Sequence, residues 1–270
     1  MKRILVGLFV MLCLLSGCQN KNSYTRCFFK EDIEKPIQAQ IIQTNTEGKT
    51  ENTEYVKNTH HENYVFDTCE PEAPLKNPID FENWISKNSD IYAWIEIPGL
   101  GISYPVYQST DTEENFYLHH DINRNYDFKG VIYTQKDNAK DFSDPVTLVY
   151  GHNMLDSTMF SYLVKLLDTE TFQKVDTVNI YLPGKKLVYY IVAAFQFDKR
   201  HVLHSFDFSD ANDYQRYLNY FTDPPTSLRQ IREGMEVSTE DRIVTLSTCL
   251  EHGASRLLIQ CKLIAELETD

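Results

Sequence analysis

The segment from Arg242 to Ile264, RIVTLSTCLEHGASRLLIQCKLI, constrains the fold more tightly than any other stretch, because it is two apolar runs joined by a short polar turn. In the first run Val244 and Leu246 alternate with Thr245 and Ser247, the period-2 pattern of a half-buried strand, and Thr248-Cys249 falls where that strand ends. Gly253 supplies an easy reversal in the turn from Leu250 to Ser255. The second run then places Arg256, Leu258 and Gln260 on one face and Leu257, Ile259 and Cys261 on the other. A hairpin is expected, with Cys249 at a strand mouth and Arg256 opening the partner strand beside it.

That juxtaposition carries chemistry. A thiol needs a positive neighbour or a base to become reactive, and a guanidinium offers fixed hydrogen bonds to a developing oxyanion without losing its proton. His152, in TLVYGHNM, supplies the proton carrier: the apolar strand Val146 to Tyr150 runs into Gly151 and delivers an imidazole at a second strand end. Cys261, inside LLIQCKL, reads instead as inert core filling.

The rest of the chain reads as a scaffold of short strands. Ile91 to Ile97, Ile102 to Tyr107, Gly130 to Thr134, Val146 to Tyr150, Thr177 to Leu182 and Leu187 to Phe197 are apolar or alternating segments bounded by Gly, Pro, Asn and Asp. Pro183-Gly184 reads as a hairpin turn. Helices are expected after Pro78, with Phe81, Trp84 and Ile85 on one face, and after the histidine loop, through Met159, Phe160, Leu163, Leu166 and Leu167. A further helix over Ser209 to Phe221 puts Tyr214, Tyr217, Leu218 and Phe221 on one side. The class is mainly β, a closed or nearly closed barrel with helices outside it. Tyr104, Tyr107, Phe116 and Tyr117 read as barrel filling rather than a ligand cage.

The formal net charge of −13 and the lack of a basic stripe with interleaved aromatics argue against a nucleic-acid partner. No metal or cofactor is expected: His119-His120-Asp121 and His201-x-x-His204 lack further ligands at recognisable spacing, and no phosphate-binding glycine loop occurs. Residues 1–18 carry Lys2-Arg3 and then an apolar run from Ile4 to Leu15, the layout of an export signal. That run falls short of the roughly 20 residues that span a bilayer. Leu15-Ser16-Gly17-Cys18 resembles a bacterial lipobox, which makes Cys18 a lipid-attachment site and places the protein at the extracytoplasmic face of the membrane, an uncleaved short helix being the other means of anchoring. Residues 19–77 are rich in Asn, Thr, Glu and Lys and read as a polar tether, with a short helix able to form around Lys30 to Ile42 and a Cys27–Cys69 bridge left open. Residues 78–270 form the catalytic domain.

TLSTC followed by Arg256, with YGHNM about one hundred residues earlier, resembles the sortases, cysteine transpeptidases of Gram-positive cell surfaces. AWIEIPGLGISYPV, the Tyr117-Leu118 step, Gly130-Val131-Ile132 and Met159-Phe160 recur in order in that family, and the helix-bearing insertion before the cysteine strand resembles class B. The turn between Cys249 and Arg256 is shorter than in many class B members. The resemblance implies a barrel of about eight strands and a two-step acyl transfer. In it Cys249 attacks after the threonine of a sorting signal, His152 moves protons, and Arg256 stabilises the oxyanion with help from a backbone N–H near Thr248 or Cys249. Glu251 is placed to orient Arg256 or His152. Implied partners are surface proteins bearing an NPQTN-like or (S/P)PxTG-like signal and a peptidoglycan precursor amine. The alternatives are pilin polymerisation, a cysteine endopeptidase without transfer, and a catalytically silent surface-binding lipoprotein.

Overall fold

The computed structural model describes residues 75–250 and 253–270. The export segment, Cys18, nearly all of the tether and Glu251 lie outside the described residues. In chain order the elements are α1 (Phe81–Lys87), β1 (Ile91–Ile97), β2 (Ile102–Tyr107), β3 (Ile132–Tyr133), β4 (Val146–Tyr150), α2 (Thr169–Lys174), β5 (Thr177–Leu182), β6 (Lys185–Phe197), α3 (Val202–Ser205), α4 (Ala211–Leu218), β7 (Arg229–Ile231), β8 (Ile243–Leu250) and β9 (Ser255–Glu268).

Among the described residues, eight strands pair in the order β5-β1-β2-β3-β4-β8-β9-β6, and β6 returns to β5 to close a barrel. The closed, mainly β architecture with external helices is the one the sequence led us to expect. β6 holds the closure together because its 13 residues serve three neighbours. Its first half pairs with β5, Ala193 to Phe195 pair with β7 outside the ring, and its other edge carries β9.

Strand alternation divides the core in two. Val244, Leu246 and Leu250 of β8 and Leu257, Ile259 and Cys261 of β9 enter the barrel, whereas Ile243 and Leu258 face outward. The outward face is covered by the insertion between β6 and β8. Its helix α4 is capped by Asp210, which accepts the Asp213 N–H, and it buries Tyr214, Tyr217 and Leu218, with Phe221 just beyond. Each such side chain contributes roughly 1.5–3 kcal/mol by leaving water. Tyr217 and Thr245 share a buried hydroxyl hydrogen bond of 2.6 Å that registers the helix on β8.

Several local expectations shift. α1 starts at Phe81 because the Asp80 carboxylate caps the Asn83 N–H at 3.0 Å, leaving Pro78 outside the helix and Ile85 exposed. β3 is two residues long because Gly130 takes a positive φ of 54° and its N–H turns back to Asp127 O. The segment after the histidine loop is a 3-10 helix over Ser161–Leu167, whose buried Leu163 and Leu166 follow its three-residue period, and α2 then starts from Asp168. Both α3 and β7 were too short and polar to be legible. At the other boundary, residues 75–77, counted with the tether above, are stitched to the C-terminus. Asn77 donates to Leu182 O at 2.9 Å, and Leu75 O accepts the Asp270 N–H.

Candidate active site

Cys249 and Arg256 are direct partners across the β8–β9 hairpin. Each sits one step out of phase with the inward-facing leucines, so both project from the outer face, and Arg256 Nη1 donates to Cys249 Sγ at 3.0 Å. The short turn thus brings guanidinium and thiol together through strand register alone. β4 runs parallel to β8 only as far as Tyr150, opposite Ser247, and the Gly151 N–H still reaches Ser247 O at 3.1 Å. Beyond that point β4 leaves the sheet, and a groove of about 170 Å³ opens beside the sulfur. Its lining includes His152, Tyr133, Tyr150, His201 and Arg256.

His152 enters this groove because Gly151 permits a close turn. A Cβ at Gly151 would lie 2.4 Å from Ile132 Cδ1 and 2.7 Å from the Phe160 ring. The loop that follows closes on itself. The Phe160 N–H returns to His152 O at 2.9 Å, the Ser161 hydroxyl accepts from Met154 N–H and donates to a nearby carbonyl, and the Met159 N–H reaches Tyr104 Oη. Ser157 and Met159 hold positive φ values of 62° and 56°, conformations that cost non-glycine residues of order 1 kcal/mol and persist where the surroundings enforce them. Asn153 Nδ2 donates to Cys249 O at 3.0 Å and ties this loop to the cysteine itself.

The imidazole is oriented by a carbonyl. His152 Nε2 lies 2.9 Å from Leu118 O, and since a carbonyl only accepts, Nε2 carries the proton and the neutral ring keeps its lone pair on Nδ1. Gly130 makes room for that carbonyl, because a Cβ there would fall 2.3 Å from Leu118 O. Burial lowers the His152 pKa below 6.5. The Leu118 hydrogen bond opposes this shift, and the neighbouring His119 and Arg256 side chains add to it. The rings of His119 and Phe128 flank the imidazole at 5.4 and 5.5 Å between centroids.

The remaining expected residues fall as follows. Thr248 is 2% exposed and lies on the same strand face as Leu246 and Leu250, so its hydroxyl, which lacks a hydrogen-bond partner among the described residues, is turned from the groove, and its backbone is the part beside the sulfur. Cys261 is fully buried in the barrel, where burial pushes its thiol pKa up. Of the four aromatics expected to fill the barrel, Tyr107 and Tyr117 are instead buried in a separate cluster with Ile91 and Tyr133, while Tyr104 braces the histidine loop and Phe116 stacks on His120. Leu118, Asn153, Phe128 and Tyr133 were not singled out as parts of a site. YGHNM contains Asn153 and the Tyr117-Leu118 step contains Leu118, but nothing in the sequence showed that one side chain and one carbonyl would fix the histidine and cysteine loops. Among the described residues, Glu114, His201 and His204 are close enough to share a metal ion, so the carboxylate that spacing did not reveal comes from a distant loop. A thiol under a guanidinium, with a neutral imidazole on the same groove, is equipped for acyl transfer through a thioester.

The sortase domain family profile matches residues 95–264. Sortase B of Listeria monocytogenes is 30% identical over 188 residues, covering 66% of this chain and 72% of that protein. Sortase B of Staphylococcus aureus is 27% identical over 227 residues, covering 83% and 89%. The crystal structure of Clostridium perfringens sortase B superposes with a TM-score of 0.60 at 31% identity, covering 68% of this chain and 100% of that one.

Proposed function

Because the chain belongs to the sortase family, as a class B sortase-type cysteine transpeptidase, we propose that Cys249, His152 and Arg256 carry its reaction and that it joins surface proteins to a cell-wall precursor. The observation that carries this reading is the 3.0 Å contact from Arg256 Nη1 to Cys249 Sγ on the groove that His152 also lines.

His152 takes the Cys249 thiol proton on Nδ1, and the resulting thiolate attacks the threonine carbonyl of a C-terminal sorting signal, NPQTN-like or (S/P)PxTG-like. Arg256, with a backbone N–H near Thr248 or Cys249, stabilises the oxyanion of the tetrahedral intermediate. The C–N bond then breaks, His152 gives a proton to the departing amine, and a thioester remains on Cys249. The amine of a peptidoglycan precursor attacks that thioester, its proton passes to His152, and the new amide leaves as the Cys249 thiolate is restored. Neither step needs a cofactor. Glu251 is assigned to orienting Arg256 or His152.

Attachment and reach complete the proposal. Residues 1–18 act as an export signal ending at a lipid-bearing Cys18, and the polar tether to residue 77 lets the barrel reach wall precursors from the extracytoplasmic face of the membrane. Incubating the protein with sorting-signal peptides, with and without an amine acceptor, tests the reading. Cleavage with transfer to the amine is expected. Hydrolysis that ignores the acceptor would replace it with an endopeptidase, transfer only to a pilin lysine would replace the acceptor, and no cleavage of any peptide would leave a binding lipoprotein.

A further inference from the structure

At one rim of the groove, four side chains from three connections converge. Glu114 comes from the β2–β3 connection, Asp137 from the β3–β4 connection, and His201 and His204 from the start of the β6–β7 connection. His204 Nε2 lies 3.3 Å from Asp137 Oδ2 and 3.5 Å from Glu114 Oε1, and His201 Nε2 lies 3.6 Å from the same Glu114 oxygen. The two imidazoles stack with centroids 3.8 Å apart and planes 18° from parallel, so both turn Nε2 toward one carboxylate.

The polar atoms at the centre are not satisfied by one another. Among the described residues Glu114 Oε1 and His201 Nε2 are buried and without hydrogen-bond partners, and an orphaned buried polar atom is costly unless something else fills its place. The His201–Glu114 and His204–Glu114 separations of 3.6 and 3.5 Å are long for hydrogen bonds, while His204 Nε2 and Asp137 Oδ2 are within hydrogen-bond reach at 3.3 Å, and separations of this size also suit a shared cation. With zinc–ligand distances of about 2.0–2.2 Å, neighbouring ligand atoms of a tetrahedron lie about 3.3–3.6 Å apart. Two imidazole nitrogens with one or two carboxylates form a donor set for zinc and its neighbours, whereas calcium and magnesium take all-oxygen shells.

We propose that Glu114, His201 and His204, with Asp137 beside His204, form a binding site for a zinc-class divalent cation. The ion would tie the insertion to the barrel rim at the wall of the groove, where His201 stands with Cys249 and Arg256. Ligation through Nε2 places the His201 proton on Nδ1, so the long 3.3 Å contact that Nδ1 accepts from the His204 N–H is given up on loading.

Cobalt(II) is the probe, since its visible absorption reports tetrahedral geometry and a thiolate ligand adds a separate charge-transfer band. The titration uses the full chain carrying Cys249→Ala, which removes the nearby thiol as a competing ligand. One equivalent is expected to bind with tetrahedral bands and no contribution from sulfur. Adding Glu114→Gln and His204→Ala should weaken that equivalent by roughly 100-fold, an effect at the scale by which supporting groups already tune metal affinity. Zinc should raise the melting temperature of the parent and not that of the variant. His204 is 56% exposed, so His204→Ala alone serves if the combined variant misfolds. Equal cobalt affinity with and without the ligand substitutions, or no tetrahedral spectrum in the parent, overturns the site. Failure of peptide transfer, by contrast, would leave these results unchanged.

Discussion

Arg256→Ala is the most informative perturbation of the proposed chemistry, because the residue touches the sulfur and contributes little else. At 3.0 Å, unit charges attract by about 1.4 kcal/mol in water and about 5.5 kcal/mol at an effective dielectric of 20. The pair is partly buried, so a value of about 2–4 kcal/mol is expected, or roughly 30- to 1,000-fold in rate at 1.36 kcal/mol per decade. Loss of a single oxyanion-hole donor elsewhere falls in the same range. Stability should barely change, since the backbone pairing of Cys249 with Arg256 survives the substitution. Arg256→Lys should recover only part of the loss, because an ammonium keeps the charge but not the planar fork. The assay is kcat/KM for cleavage of a sorting-signal peptide, alongside the rate of Cys249 alkylation, which reports on the thiolate without substrate. A folded Arg256→Ala protein within threefold of the parent in both measurements would refute the assigned role.

Cys249→Ala should abolish turnover and covalent trapping of the substrate acyl group, whereas Cys261→Ala should leave chemistry intact at about 1–2 kcal/mol of stability, read by denaturant melts. The His152 ring should titrate below 6.5 by NMR, and Phe128→Ala, by exposing the ring to water, should move the midpoint upward. Because the unfolded chain binds more protons between the folded midpoint and 6.5, this histidine makes stability rise with pH across that window, with its penalty absent above it. A midpoint above 6.5 contradicts the burial argument. Gly151→Ala should cost about 1–3 kcal/mol in a thermal melt, since its methyl group would meet Ile132 and Phe160, and it should lower turnover further by displacing His152. Cys18→Ala should block processing of the membrane-bound protein in mass spectra without altering peptide cleavage, and native material with an intact Met1 or unmodified Cys18 excludes the lipid anchor.

What was legible in the sequence depended on local periodicity. The hairpin faces could be read because alternation holds on both sides of the turn: Leu257, Ile259 and Cys261 do enter the barrel, and Arg256 does leave it. The helix over Tyr214 and Tyr217 was equally readable from its apolar stripe and its cap. Contacts made by loop backbone could not be read. The Leu118 carbonyl orients His152 because Gly130 lets two loops approach, and neither apolar pattern nor spacing encodes where a carbonyl will point. The cluster of Glu114 with His201 and His204 was hidden for the same reason. Its members lie on connections that only closure of the barrel brings together.

The parallel pairing of β4 with β8 accounts for the meeting of His152 with Cys249 despite their separation in the chain. Their register runs from Val146 opposite Ile243 to Tyr150 opposite Ser247, so both strands end on the same side of the barrel. The residues just past the last pair, His152 beyond Tyr150 and Cys249 beyond Ser247, are then neighbours by construction. Had β4 run antiparallel, its C-terminal end would lie a full strand length away, about 16 Å for five residues at roughly 3.3 Å each. No loop of ordinary length could return an imidazole to the sulfur with the rigidity that Gly151, Asn153 and Leu118 provide here. Parallel strands require a long crossover, and here that crossover contains α2, β5, β6 and the insertion. The segment that topology demands between the histidine strand and the cysteine strand is therefore the one that supplies β6, which closes the barrel, and His201, which walls the groove. Shortening it would do more than trim a surface feature. It would open the barrel and remove one side of the site together.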